Sequence, residues 1–172
     1  PRGTHDLDLP TNGEWWLCGP FGNHDNQAMQ TLLPPEESLS PDETYDGNHH
    51  EDSKYMSAGS QNIGRHQAQW TKRSSYHSFV DFNHVFRPWA KGVGVTEEGV
   101  AVARCELYAE ADTTATLQIA WDDHLILQVN EERHDLGHHH AFRSQRVDVP
   151  LKAGANTIII KLSNTKGYNH GG

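Results

Sequence analysis

The chain has 172 residues, 35% of them hydrophobic, with 14 Lys and Arg against 23 Asp and Glu and a formal charge of -9. That length encloses one substantial core, and five Trp, five Tyr and five Phe supply apolar bodies that a disordered composition lacks. The charge argues against nucleic acid and anionic membrane surfaces, because phosphate binding needs a surplus of cations, and no apolar run approaches the roughly 20 residues of a membrane-spanning helix.

The first clear element is Glu14-Trp15-Trp16-Leu17-Cys18, which reads as a strand closed by a turn at Gly19-Pro20-Phe21-Gly22. From Asn23 to Gly64 the chain is rich in Asn, Asp, Glu, His, Ser and Pro. A structureless loop of that length is out of place in a compact domain, so short turns are expected, pinned by Leu32, Leu33, Tyr45 and Tyr55. Trp70 opens a run in which Tyr76 to Phe82 reads as a strand.

Val100 to Ala111 alternates, with Ala101, Ala103, Cys105, Leu107 and Ala109 facing in and Arg104, Glu106 and Tyr108 facing out. Leu117, Ile119 and Trp121 share a face, Asp122-Asp123-His124 reads as a turn, and Leu125, Leu127 and Val129 return, so a hairpin is expected there. Arg146 to Leu151 and Thr157 to Leu162 flank Lys152-Ala153-Gly154-Ala155-Asn156 as another strand, turn and strand. No apolar period of 3.6 persists for three turns. Recurring strands without alternating helices indicate an antiparallel sandwich or barrel. Its core is expected at Leu17, Cys105, Leu107, Leu117, Ile119, Leu127, Val129, Ile158, Ile160 and Leu162. Cys18 and Cys105 each lie in an apolar run with no metal-type spacing, and read as buried free thiols ahead of a disulfide.

Several segments resemble accessory β-sandwich domains found beside glycoside hydrolases and polysaccharide lyases. They are the Trp strand running into Gly19-Pro20-Phe21, Pro34-Pro35-Glu36, Trp121-Asp122-Asp123 with the return to Asn130, and Leu151-Lys152-Ala153-Gly154-Ala155-Asn156 followed by Ile158 to Lys161 and Asn164. Glu131 departs from the pattern, standing where a glycine is usual. The resemblance implies an antiparallel β-sandwich of the galactose-binding-like jelly-roll type. It would be a single carbohydrate-binding domain over residues 1–172, secreted, extracellular or periplasmic, and excised from a larger multimodular protein. It also implies a non-catalytic role, a polysaccharide or oligosaccharide partner, a linked catalytic domain, and often a bound calcium. The alternatives are a structural sandwich that packs on a catalytic domain, and a small glycan lyase or hydrolase. The first residues, Pro1 to Pro10, read as a cut end rather than a signal peptide.

Asp122 and Asp123 are hard oxygen ligands suited to calcium, structural or sugar-bridging. They also resemble the pair that holds calcium against a sugar diol in yeast flocculin-type lectin domains. The alternative is that they accept backbone N–H bonds and cap a turn. Of the 13 histidines, His138-His139-His140 and Asn48-His49-His50 sit in polar contexts. Neighbouring histidines on a strand face opposite ways, so the readings in order are a solvated loop, sugar hydrogen-bonding, and zinc or nickel. Sugar rings stack on exposed aromatics. Trp70, Tyr168 and Trp89 are the candidates to lie outside the core, although a packing role is the leading reading for each. The candidate sugar site is therefore His138, His139, His140 and Arg143, on a loop or strand edge, with Trp70 or Tyr168 as platform. Arg143 there suits a sugar carboxylate or sulfate. Glu36-Glu37 and Glu97-Glu98 read as solvated loop acids rather than a glycosidase pair.

Overall fold

The computed structural model describes residues 14–23, 26–47, 67–74 and 99–164. The expectations placed on Tyr76 to Phe82, Asn48 to His50, Tyr55, Trp89, Glu97-Glu98 and Tyr168 lie outside the described residues.

Seven strands are described: β1 Glu14–Gly22, β2 Thr44–Asp46, β3 Gln67–Ser74, β4 Gly99–Ala109, β5 Thr113–Val129, β6 Glu132–Leu151 and β7 Gly154–Asn164. They pair antiparallel in the order β2-β3-β1-β4-β7-β5-β6. Two one-turn helices, α1 Gln27–Gln30 and α2 Pro34–Glu37, lie between β1 and β2. The period of two works on both faces of β4. Ala101, Ala103, Cys105, Leu107 and Ala109 enter one apolar cluster, while Val100 and Val102 enter a second with Met29, Leu33, Trp70 and Ile126.

The long β5–β6 ribbon supplies the second layer. Residues 124–129 of β5 pair with β7, whereas Thr113–Trp121 pair with β6 alone. Register shifts at Trp121/Asp123 and His124/Ile126, with Asp123 at φ 52, bend the strand between its halves. The outer half lays Ala115, Trp121, Val147, Val149 and Leu151 against Trp15, Leu17, Ala103, Cys105, Leu107 and Ile158. Two antiparallel layers over one apolar core make the all-β sandwich that the alternation predicts. Leu17, Cys105, Leu107, Leu127, Val129 and Ile158 are buried in that core, and Leu117, Ile119, Ile160 and Leu162 are half-buried against it.

Three local expectations are corrected. Asp122-Asp123-His124 is a bend inside β5, because a bulge deflects the chain without reversing it; the reversal falls at Asn130-Glu131. Gly19-Pro20 likewise continues β1 through a register shift between Cys18 and Phe21. At Gly19 a Cβ would meet the Val100 carbonyl oxygen at 3.1 Å, so the close approach of β4 requires glycine. The strand, turn and strand expected from Arg146 to Leu162 are present as β6, Lys152-Ala153 and β7, with β5 between the two strands in the sheet. In the polar segment Leu33 and Tyr45 pack as expected, while Leu32 is 58% exposed.

A buried amide fastens the end of the sandwich where β6 passes to β7. Asn156 is 0% exposed. Its Oδ1 accepts from the Lys152 N–H at 2.8 Å and from Asn130 Nδ2 at 2.9 Å. Its Nδ2 donates to the Lys152 carbonyl at 2.8 Å, Gly154 at 3.1 Å and Leu107 at 3.3 Å. Asn130 in turn accepts from the Thr157 N–H through Oδ1 and donates its own N–H to the Thr157 carbonyl. Its φ of 54 puts the positive dihedral of the β5–β6 turn on Asn130 itself, which asparagine tolerates. Glu131 is therefore no obstacle there.

Both cysteines are free and buried, in different apolar clusters. Burial pushes each thiol up to about 12, so both stay protonated and unreactive at neutral pH.

Candidate functional site

The segment Asn26–Leu39 is held on the sheet by a charge network. Pro34 opens α2 with its φ already suited to a first helical turn, and Glu36, two residues on, turns back so that Oε2 accepts the Leu33 N–H at 2.8 Å. The same oxygen takes Lys161 Nζ at 2.7 Å, and Oε1 takes Arg133 Nη1 at 3.0 Å. Lys161 also donates to the Thr31 carbonyl at 2.6 Å. The side chains of Glu36 and Lys161 are each 1% exposed. Burial, followed by the neighbouring Arg133 charge, pulls Lys161 below the ordinary lysine value against the upward pull of Glu36. Glu36 is thus no solvated loop acid. The missed signal was Lys161 inside the run Ile158 to Leu162, where a cation on an apolar face requires a buried partner.

Beside this network lies a cleft of about 430 Å³ lined by Met29, Gln30, His124, Ile126, Arg133 and Asp135. Its floor is apolar and its rim is polar. His124 Nε2 stands 2.8 Å from Asp135 Oδ1, which also accepts the Gly137 N–H at 2.9 Å. Burial alone would raise the Asp135 carboxyl. The hydrogen bonds from His124 and Gly137 and the His124 and Arg133 charges outweigh that and hold it below the usual carboxylate value. A carboxylate only accepts, so Nε2 carries the proton. The other ring nitrogen, Nδ1, is buried without a hydrogen-bond partner. His124 is consequently ill placed as a general base, because its free nitrogen is buried. The lining holds one carboxylate, Asp135, and no hydroxyl or thiol.

The structure distributes the expected site residues unevenly. His138 to Arg143 belong to β6, which among the described residues pairs on one side only, so the strand-edge alternative holds and the loop does not. His138 is exposed opposite His124, with ring centroids 6.1 Å apart. It therefore stands beside His124 without lining the cleft itself. His139 turns to the other face, 5.8 Å from the Trp121 ring. His140 lies in β6. Arg143 is exposed opposite Trp121 and does not line the cleft. Trp70 is 6% exposed within the second apolar cluster, so it is no sugar platform; its strand is covered by the segment that Glu36 anchors. Phe142, 66% exposed on β6, is the aromatic that the sequence reading passed over.

Asp122 and Asp123 sit at the β5 bend. Asp122 is exposed and its Oδ1 accepts the Asp123 N–H at 3.2 Å, while Asp123 is 8% exposed. Among the described residues no three His, Cys, Asp or Glu side chains converge as a metal site. A calcium ion takes six to eight oxygens, and two carboxylates, one of them spent on a backbone N–H, do not fit that demand. The pair reads as a bulge device. A D122N variant is expected to melt with the same response to chelator as the parent. A chelator-induced drop in Tm that vanishes in D122N would restore calcium to this pair.

No family model and no curated protein matches the chain. Two solved structures are partly similar to it. One is a family 35 carbohydrate binding module from Clostridium thermocellum, at 17% identity over 41% of this chain and 70% of that one, with a TM-score of 0.29. The other is a GH26-CBM35 β-(1,4)-mannanase from Podospora anserina, at 18% identity over 44% of this chain and 24% of that one, with a TM-score of 0.28. The fold assignment itself rests on the strand pairing and the two-layered core.

Proposed function

We propose that this chain is a non-catalytic carbohydrate-binding module whose site is the cleft between α1 and the β5–β6 ribbon. The observation that carries the reading is the cleft lining. A hydroxyl-rich ligand needs donors and acceptors side by side over a small apolar surface for its C–H face. Arg133 and Gln30 supply donors, Asp135 an acceptor, Gln30 both, and Met29 and Ile126 the apolar floor. His138, against the His124 ring, is a further polar group next to the lining. The buried free nitrogen of His124 and the single lining carboxylate speak for binding without catalysis. In this reading the module is secreted and holds a linked polysaccharide-degrading enzyme near its glycan, raising the local concentration of each for the other.

Screening the domain on a polysaccharide array and titrating the hits by calorimetry tests this. Gln30→Ala and His138→Ala are each expected to weaken binding about fivefold, the size of one lost hydrogen bond of about 1 kcal/mol. Binding to no glycan, or unchanged affinity in both variants, would reject the site.

A further inference from the structure

Resting on the glycan-binding reading above, we infer that the cleft takes an uncharged sugar and that Asp135 selects against carboxylated and sulfated ones. The most exposed charge at the cleft is the carboxylate. The Asp135 side chain is 60% exposed, against 36% for Arg133 and 11% for His124. Arg133, the lining lysine-or-arginine cation, is already committed through Nη1 to Glu36. Glu36 gives its other oxygen to Lys161, which lies buried beneath.

Asp135 is also polarised for hydroxyls. Its Oδ1 receives both His124 and the Gly137 N–H, which leaves Oδ2 toward an incoming donor. A hydroxyl given to a carboxylate makes a charge-assisted bond, stronger than a neutral one. A sugar carboxylate or sulfate brought to the same oxygen meets repulsion instead, and the overall charge of -9 adds to it. The volume of about 430 Å³ lies near the small end of ligand pockets, enough for one or two pyranose rings. The acidic sugar suited to Arg143 has no counterpart at this cleft.

The test titrates the intact domain with neutral tetramers (cello-, manno- and galacto-oligosaccharides) and with galacturonic and mannuronic tetramers of the same length. The neutral set is expected to contain the binders, with uronates at least about tenfold weaker at low salt, and added salt is expected to narrow the gap. Asp135→Asn keeps the shape and removes the charge, so the preference should fall by about tenfold. Gln30→Ala, which leaves the charges alone, should weaken neutral binding and keep the preference; it serves the test even if Asp135→Asn folds poorly. Uronates binding more tightly than neutral sugars, or an unaltered preference in folded Asp135→Asn, would overturn the inference while leaving glycan binding standing. Silence from every glycan would instead overturn the parent reading and this inference with it.

Discussion

Replacing Glu36 with alanine is expected to destabilise the fold by about 3–5 kcal/mol, the usual cost of removing one member of a buried ion pair. The alanine leaves Lys161, 1% exposed, with the Thr31 carbonyl alone, and strips Arg133 Nη1 and the Leu33 N–H of their acceptor. Urea unfolding with an unchanged slope is the measurement. The double variant Glu36→Leu with Lys161→Met should recover most of the loss, because an apolar pair of similar volume needs no desolvation. In Glu36→Ala alone, stability should rise toward alkaline pH. Burial holds Lys161 below the ordinary lysine value, so the unfolded chain retains the proton longer, and raising the pH through that window favours the folded state. Because Met29 and Gln30 form one wall of the cleft, glycan affinity should drop together with stability. A cost under about 1 kcal/mol would show that the network does not hold the segment.

Asn156→Ala should be nearly as severe, about 3 kcal/mol, since it strands several buried backbone groups at once. The Lys152 N–H and the Leu107, Lys152 and Gly154 carbonyls all lose their partner, and Asn130 loses the oxygen that orients it. Asn156→Asp is the sharper test. It preserves size, yet it sets a carboxylate oxygen against three carbonyls that now receive two N–H groups. It is expected to be at least as damaging as alanine in thermal unfolding at neutral pH. A mild Asn156→Asp would mean that filling space, rather than hydrogen bonding, is what the position requires.

The strands of this fold could be read because alternation was intact where one face is buried. Val100 to Ala109 and Leu125 to Val129 carry their period openly. The exception is Asp122-Asp123, whose composition signals a turn. Asp123 does adopt a positive φ, but in a bulge that bends a continuing strand. Composition reports local dihedral preference and not whether the chain reverses. The motif Gly154-x-Asn156 was visible as a pattern, and its meaning is structural: Gly154 at φ 96 and the fully buried Asn156 together shape the passage from β6 to β7. The candidate site was less legible. His138 lies on a strand edge of β6, and its partner across the ladder, His124, falls inside the segment whose composition signals a turn. Gln30, Arg133 and Asp135 had no sequence signal of their own, for they meet only when α1 docks on the ribbon.

The position of β7 has a consequence for how this chain reaches its native state. It is the last described strand to leave the ribosome, yet it lies in the middle of the sheet, between β4 and β5. It also carries Lys161, the cation that Glu36 awaits from 125 residues earlier in the chain. Until β7 arrives, β4 and β5 present open edges and Glu36 has no Nζ to receive, so the early-made part cannot settle as a finished unit. Folding therefore waits for β7, slow in the manner of folds dominated by distant pairings, and exposed to aggregation while the central strand is missing.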